Sequence, residues 1–365
     1  MKRWWGPLLS IDVRDRKILA ELDKDARQPY SQIATKLGLS QQVVSYRVQR
    51  LLDQGVIKSF VTFINLERVG HRIFNFCLNL KHMTEEREQE LIERVARVPH
   101  VNWLCTTTGG YDLIIGVNAA DMEQFQFLFS QITSILEHEI VDDGLFICLD
   151  SWQMPYPVLP DIRRTLPSPE VGIKLCETVN LQQIDYRIIQ ELAGNARVTN
   201  NELARKLKTS VSTIAYRIDY LTKNKIIMGF KPLIDMSKLG YNWHLVLFKL
   251  KYVDAHTRKQ FMEVLKSIPQ TFFVVHGLGN WDMQAEFYCK DDHEYNQVMN
   301  RIFPQKFHDI IKSQKEIRIL QEHKCIWYPV GKVAEPMQTN LDHWLREKPI
   351  TRKNKPLKTT IRATH

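Results

Sequence analysis

Apolar residues recur along this chain at two periods, and the order in which the periods alternate predicts its elements. Between Val13 and Asp23, Ile18, Leu19 and Leu22 share one helical face, and Ile33, Ala34 and Leu37 do the same between Ser31 and Leu37. Gly38-Leu39-Ser40 then turns tightly into a third segment, where Val44, Val48 and Leu51 follow a serine placed to cap a helix. Short helices with a glycine-containing turn before the last one make a helix-turn-helix pattern, although an ordinary helical bundle has the same periodicity. From Gly55 to Ile64 polar residues alternate with β-branched and aromatic ones, so a strand or hairpin follows and the whole reads as a winged helix.

The period then switches repeatedly. Residues 72–80 alternate as a half-buried strand, 85–98 place Leu91, Ile92, Val95 and Val98 on a helical stripe, and 101–107 return to strand. Gly109-Gly110 marks a turn, 111–117 a third strand, 121–136 a helix with Met122, Phe125, Leu128, Phe129, Ile132 and Ile135 inward, and 139–149 a fourth strand. The order βαββαβ is that of a ferredoxin-like domain, an antiparallel sheet with both helices on one face.

Shifted by 170 positions, the chain aligns with itself without a gap. Asp15 meets Asp185, Ile18 Ile188, Ala26-Arg27 Ala196-Arg197, Leu37 Leu207, Ile57 Ile227, Gly70 Gly240 and Asp112 Asp282. The predicted fold is therefore α+β, two tandem copies of a winged helix-turn-helix plus a ferredoxin-like βαββαβ domain. The expected boundaries are 8–66 and 67–152 for the first copy, 179–236 and 237–328 for the second, a proline-rich linker over 153–178, and a basic flexible tail over 329–365. In the second copy the pattern predicts strands at 243–252, 271–276, 281–288 and 310–320, and helices at 255–268 and 291–303.

Composition narrows the functional class. With no apolar run long enough to span a bilayer and no leader-like start, the expectation is a cytoplasmic protein with no membrane partner. The cysteines are scattered without a CxxC pair, which argues for reduced core thiols and against metal ligation; neither a metal nor another cofactor is expected. No phosphate loop or Ser/His/Asp set is present, so no catalytic residue is assigned. The formal charge of +9 is uneven, with 19 basic against 21 acidic residues over 1–165, 23 against 17 over 166–330, and 8 against 3 over 331–365. A basic second half and tail favour a polyanionic partner.

The third helix of each copy carries the candidate chemistry. Its first version offers Ser40, Gln41, Gln42, Ser45, Tyr46 and Gln49, neutral hydrogen-bonding groups suited to base edges, flanked by Arg47 and Arg50 for phosphates or guanines. Its second version offers Ser210, Ser212, Thr213, Tyr216 and Arg217, with Lys206 and Lys208 beside it. There Lys208 replaces Gly38 and Asp219 replaces Gln49; an aspartate on this face repels phosphate, though it can accept from cytosine. The expectation is double-stranded DNA held by two non-equivalent heads, the first reading sequence and the second supplying more salt-dependent grip.

These residues resemble the Lrp/AsnC (feast/famine) transcriptional regulators in a tandem arrangement. The likeness lies in Asp15-x-x-Ile18-Leu19-x-x-Leu22, Ala26-Arg27, Ile33-Ala34-x-x-Leu37-Gly38-Leu39-Ser40, Val44-x-x-Arg47-Val48-x-x-Leu51, Gly55-Val56-Ile57 and the Gly110-Tyr111-Asp112-Leu113 turn. It implies a ferredoxin-like (RAM-type) ligand-sensing domain that self-associates through its sheets and binds an amino acid or other small effector near the turn between its second and third strands. The corresponding residues are Gly109, Gly110 and Asp112, and Gly279 and Asp282; alternatively the glycines serve only a tight hairpin and each aspartate caps its own turn. In the second copy Asn280-Trp281 replaces Gly110-Tyr111.

Two other functions fit the same architecture. Some proteins built this way resemble siroheme decarboxylases, which need basic and imidazole groups around a tetrapyrrole; His276 and His100 are the candidates, but the Trp-Pro-Tyr-Asn type of segment associated with those enzymes is absent. An architectural DNA-binding protein with little sequence preference is the other.

Overall fold

The structure is a computed structural model and describes residues 8–159, 171–173, 176–302, 307, 309–326 and 328. The basic tail from residue 329 and the linker prolines 160, 167 and 169 lie outside the described residues.

The first copy runs through α1 (Val13–Lys24), α2 (Tyr30–Leu37), α3 (Gln41–Asp53), β1 (Ile57–Ile64), β2 (Arg72–Leu80), α4 (Glu85–Ala96), β3 (Val101–Gly109), β4 (Leu113–Ala119), α5 (Met122–Leu136) and β5 (Ile140–Gln153), followed by the short β6 (Val171–Ile173). The second repeats it as α6 (Gln183–Gly194), α7 (Asn200–Leu207), α8 (Val211–Lys223), β7 (Ile227–Ile234), β8 (Asn242–Leu250), α9 (Ala255–Ser267), β9 (Thr271–Gly279), β10 (Met283–Cys289), α10 (Asp292–Ile302) and β11 (Ile311–Cys325). Local chemistry sets the helix ends. Asp12 and Asp15 form a capping box at α1, α2 stops on Gly38 at φ 64, and Ser40 Oγ accepts the Val43 N–H to start α3.

The heads are joined to each other. β1 makes no hairpin of its own; it pairs antiparallel with β7 of the other head, Val61 opposite Lys231. Reciprocal arginines fasten the joint. Arg27 donates to the carbonyls of Ala196 and Val198 at 2.6 and 2.7 Å, and Arg197 donates to the Ala26 carbonyl. Each guanidinium also lies over an aromatic ring of the opposite head, Arg27 over Phe230 at 5.2 Å and Arg197 over Tyr30 at 4.3 Å. Beneath them Lys231 and Asp23, both buried, pair at 3.4 Å.

The two ferredoxin-like sheets close into one. Strands follow the order β2-β4-β3-β11-β8-β10-β9-β5, and β5 pairs back onto β2. The long strands β5 and β11 are the seams: residues 140–147 pair with β2 and 146–153 with β9, while 311–319 pair with β8 and 317–325 with β3. Both strands therefore outrun the expected ends at 149 and 320, because their last residues serve the other copy's sheet. Among the described residues each of these eight strands is paired on both sides, and the short β6 adds to the end of β5. Helices α4 and α5 cover one outer face over Phe76, Leu104 and Ile115, and α9 and α10 cover the other over Val246, Val274 and Ala285. Between the sheets lie Cys105, Ile114, Phe146, Leu245, Val275 and Ile317.

Residues 154–159, expected as linker, are core instead. Met154, Tyr156, Val158 and Leu159 are buried, and the Tyr156 hydroxyl accepts the Ile234 N–H at 3.2 Å. Among the described residues no helix is long and apolar enough to cross a membrane.

Candidate nucleic-acid interface and the cavity beneath it

The helix-turn-helix places α3 with Val44, Val48 and Leu51 in the core and Gln41, Gln42, Ser45, Tyr46 and Gln49 in solvent. On α8, Ser212, Tyr216 and Asp219 are exposed and Thr213 is half-buried, with Ser210 capping the helix. Tyr46 and Tyr216 occupy equivalent positions and are 68% and 64% exposed, a large side chain held in water in both heads.

The arginines are a correction to the expectation. Arg47 donates to Asp12 at 2.7 Å and to Asp15 at 2.8 Å, and Arg50 donates to Asp15 at 2.5 Å. Arg217 is buried and grips Asp185 through Nε at 2.6 Å and through its second nitrogen. Asp15 and Asp185 are themselves fully buried, and a buried carboxylate needs a fixed counter-charge. These three guanidinium groups tie the first helix of each head to its third and do not lie free on the outer face. Asp12 is held down to about 2 by the Asp15 backbone N–H and then by Arg47. The pair was legible in the sequence: an aspartate and an arginine recur at the same 32-residue separation in both copies.

Lysines distinguish the second head. Lys208 ends α7 at φ 53, taking the left-handed conformation that Gly38 takes in the first head, and its side chain is exposed. Lys206 pairs with Glu191 at 2.7 Å. Asp219 is offset on its own helix by Lys223, 2.7 Å away.

The turns expected to hold an effector are filled by protein. A Cβ on Gly109, at φ 102, would lie 2.7 Å from the Glu316 carbonyl, and one on Gly279, at φ 127, would lie 2.1 Å from the Leu145 carbonyl. Gly110 donates its N–H to Glu316 at 3.1 Å. These glycines admit the long strand of the other copy. Asp112 accepts the Leu80 N–H at 2.8 Å, and Asp282 accepts the Leu250 N–H at 2.7 Å and the Lys249 ammonium at 3.1 Å. The hairpin alternative is what the geometry supports.

Space lies elsewhere, under the β1–β7 ribbon at the mouth of the barrel. A cavity of about 370 Å³ is bounded by Val61 and Pro232 from the heads and by Trp103, Trp243, Phe272 and Glu286 from the barrel. Trp243 Nε1 donates to Glu286 at 3.1 Å, and Trp103 Nε1 donates to Glu322 at 3.2 Å. Glu322 also pairs with Lys58 at 3.4 Å. Burial pushes the Glu286 carboxyl up to about 7, the Gln284 and Trp243 donors notwithstanding. Periodicity missed this site because it marks Glu286 only as the polar half of an alternation. Its signal was an acid on the inward face of a strand covered on both sides.

Neither candidate histidine borders the cavity. His276 faces Asp150 at 3.2 Å. His100 stacks on His71 with ring centroids 6.0 Å apart, and burial pulls it down to about 4.

Two winged heads on a closed pair of ferredoxin-like sheets define a tandem one-chain version of a DNA-binding class. Residues 11–58 and 181–228 match the model for winged helix-turn-helix DNA-binding domains, and residues 76–139 match the Lrp/AsnC ligand binding domain. Among curated relatives, the HTH-type transcriptional regulator LysM of Saccharolobus solfataricus is 30% identical over 143 residues, 39% of this chain and 96% of that protein. The HTH-type transcriptional regulator FL11 of Pyrococcus furiosus is 29% identical over 125 residues, 34% of this chain and 82% of its own. The chain belongs to the Lrp/AsnC family of DNA-binding transcriptional regulators. Over 91% of its length, both copies included, the chain has the fold of the siroheme decarboxylase NirDL, solved with an iron-uroporphyrin III analogue: TM-score 0.57, 12% identity, covering 99% of that chain. At that identity the likeness is one of fold alone.

Proposed function

We propose that this chain regulates transcription by binding double-stranded DNA through both heads at once. α3 supplies most of the base reading, and α8 with its lysines supplies more of the phosphate attraction. The observation that carries this is the solvent-facing row present on two helices, neutral on α3 and including Asp219 on α8, whose heads are locked together by β1–β7 pairing and by Arg27 and Arg197. Locked heads select a single half-site spacing. The readers are Gln41, Gln42, Ser45, Tyr46 and Gln49, with Ser212, Thr213 and Tyr216 on the second helix; Arg47, Arg50 and Arg217 orient them.

The test is footprinting of the full chain on DNA selected from a random pool. One defined two-part site is expected, and the double substitution of Gln42 and Tyr46 to alanine should erase its first half. Uniform protection of random DNA would instead indicate an architectural protein.

The enzymatic reading has the fold in its favour but meets the wrong cavity chemistry. Among the described residues, carboxylates Asp235, Glu286 and Glu322 stand there against a single ammonium, Lys58, with no imidazole, whereas a tetrapyrrole rich in acid side chains needs cations. Incubation with siroheme, followed by absorption, should show no turnover; turnover would overturn the proposal.

A further inference from the structure

DNA binding leaves the cavity under the heads without a use. At about 370 Å³ it falls within the size of small-molecule sites. Its chemistry arises where the duplication has been broken. The inward positions of β10 are Gln284, Glu286 and Tyr288, and at the 170-residue offset β4 has Ile114, Gly116 and Asn118. The second copy thus puts an acid where the first has no side chain at all.

Glu286 is 5% exposed, and its partners are a neutral amide, Gln284 at 2.8 Å, and a neutral indole, Trp243 at 3.1 Å. A buried carboxylate without a counter-ion is costly, so the site favours a positive charge. Among the described residues, Asn102 Oδ1 and Gln153 Oε1 line the same cavity without a hydrogen-bond partner. The walls are aromatic: Trp103 and Trp243 lie 6.2 Å apart between centroids, and Phe272 and Tyr288 lie 5.1 Å apart. Ring faces and carboxylates together attract organic cations.

We infer that this cavity binds a small primary amine with a flat apolar body, its ammonium against Glu286 and its body among Trp103, Trp243 and Phe272. A free amino acid fits worse, because its carboxylate would be buried beside Asp235, Glu286 and Glu322 while Lys58 is already held by Glu322. An occupant also touches Val61 and Pro232, on the two strands that join the heads. The inference rests on the cavity and is independent of the DNA-binding reading.

Calorimetric titration of the full chain at pH 7.5 with 2-phenylethylamine, phenylalanine and 3-phenylpropionate tests it. The amine should bind at least tenfold more tightly than either probe that carries a carboxylate. Glu286→Gln should remove that preference, and Val61→Phe, which adds bulk from the head side, should weaken the amine at least tenfold without touching a charge. Absence of binding by all three probes, equal or tighter binding of the acid, or an undiminished preference in Glu286→Gln would overturn the inference. Fluorescence anisotropy with DNA on the same samples reads the other proposal separately.

Discussion

Single residues set the stability of each head through charge and backbone conformation. Asp185 is buried and its carboxylate holds the buried Arg217, so Asp185→Ala leaves a guanidinium without its partner. The expected loss is about 3–5 kcal/mol, read as a shift of the urea midpoint. Lys208 is the opposite case. It is held at φ 53, a conformation that costs a side-chain-bearing residue about 1–2 kcal/mol and costs glycine little. Lys208→Gly should therefore raise stability by about 0.5–1 kcal/mol, after the larger entropy of an unfolded glycine is subtracted. If Lys208 contacts a phosphate, the same substitution lowers the slope of log K against log salt by about 1. A stability gain paired with a shallower slope identifies a residue kept for DNA.

Glu286 ties residue chemistry to pH. Its ordinary value of 4.5 is raised to about 7 by burial, so the folded state holds a proton that the unfolded state has released over that window. Stability attributable to this group is therefore intact below about 4.5 and is lost as pH rises through 7, by roughly 3 kcal/mol in total. Lining the same cavity are Glu322 from β11, Lys58 from β1 and Asp235 after β7, together with Trp243, Gln284 and Tyr288. Of these the Glu322 charge pushes in the same direction as burial. Relative to wild type, Glu286→Gln should gain stability between pH 5 and pH 8, measured by urea melts at the two ends. A constant difference would show that the carboxylate stays ionised throughout.

At the scale of elements, much was legible in the sequence, and what was missed has a common cause. Periodicity located the helices of both heads because each turns one apolar face into a core, as Ile18, Leu22, Val48 and Leu51 do, even though that core also takes in Ile234 and Met236 of the other copy. It also located the strands of both sheets. Pairing between copies was invisible, since alternation along β1 is the same whether Val61 meets a hairpin partner or Lys231 of the other head. The ends of β5 and β11 were read short for that reason. The glycines at 109 and 279 were visible as special positions but not as to purpose: a glycine that admits a ligand and one that admits a carbonyl look alike until the carbonyl of Glu316 or Leu145 is in place. Arg47 and Arg217 were expected at the DNA because they stand on the third helix of each head, whereas each side chain reaches across to a buried aspartate.

For the whole molecule, the joint between copies decides what each copy can do alone. The last residues of β5 have their ladder partners in β9, those of β11 have theirs in β3, and β1 has its partner in β7. A protein carrying only residues 1–159 would expose all three sets of unpaired strand edge, and an unpaired edge templates association. Because the two copies share one topology, the simplest rescue is a second molecule of the same copy standing where its sibling stood, so that the internal pseudo-two-fold becomes a true one. Light scattering coupled to size exclusion should therefore find the separated first copy as a dimer or larger, never as a folded monomer. A stable monomer with native circular dichroism would mean that the seams are not what holds each sheet together. The dimer would carry two identical α3 helices in place of α3 and α8, so its preferred DNA should be a symmetric repeat of the half-site that the intact chain reads through its first head.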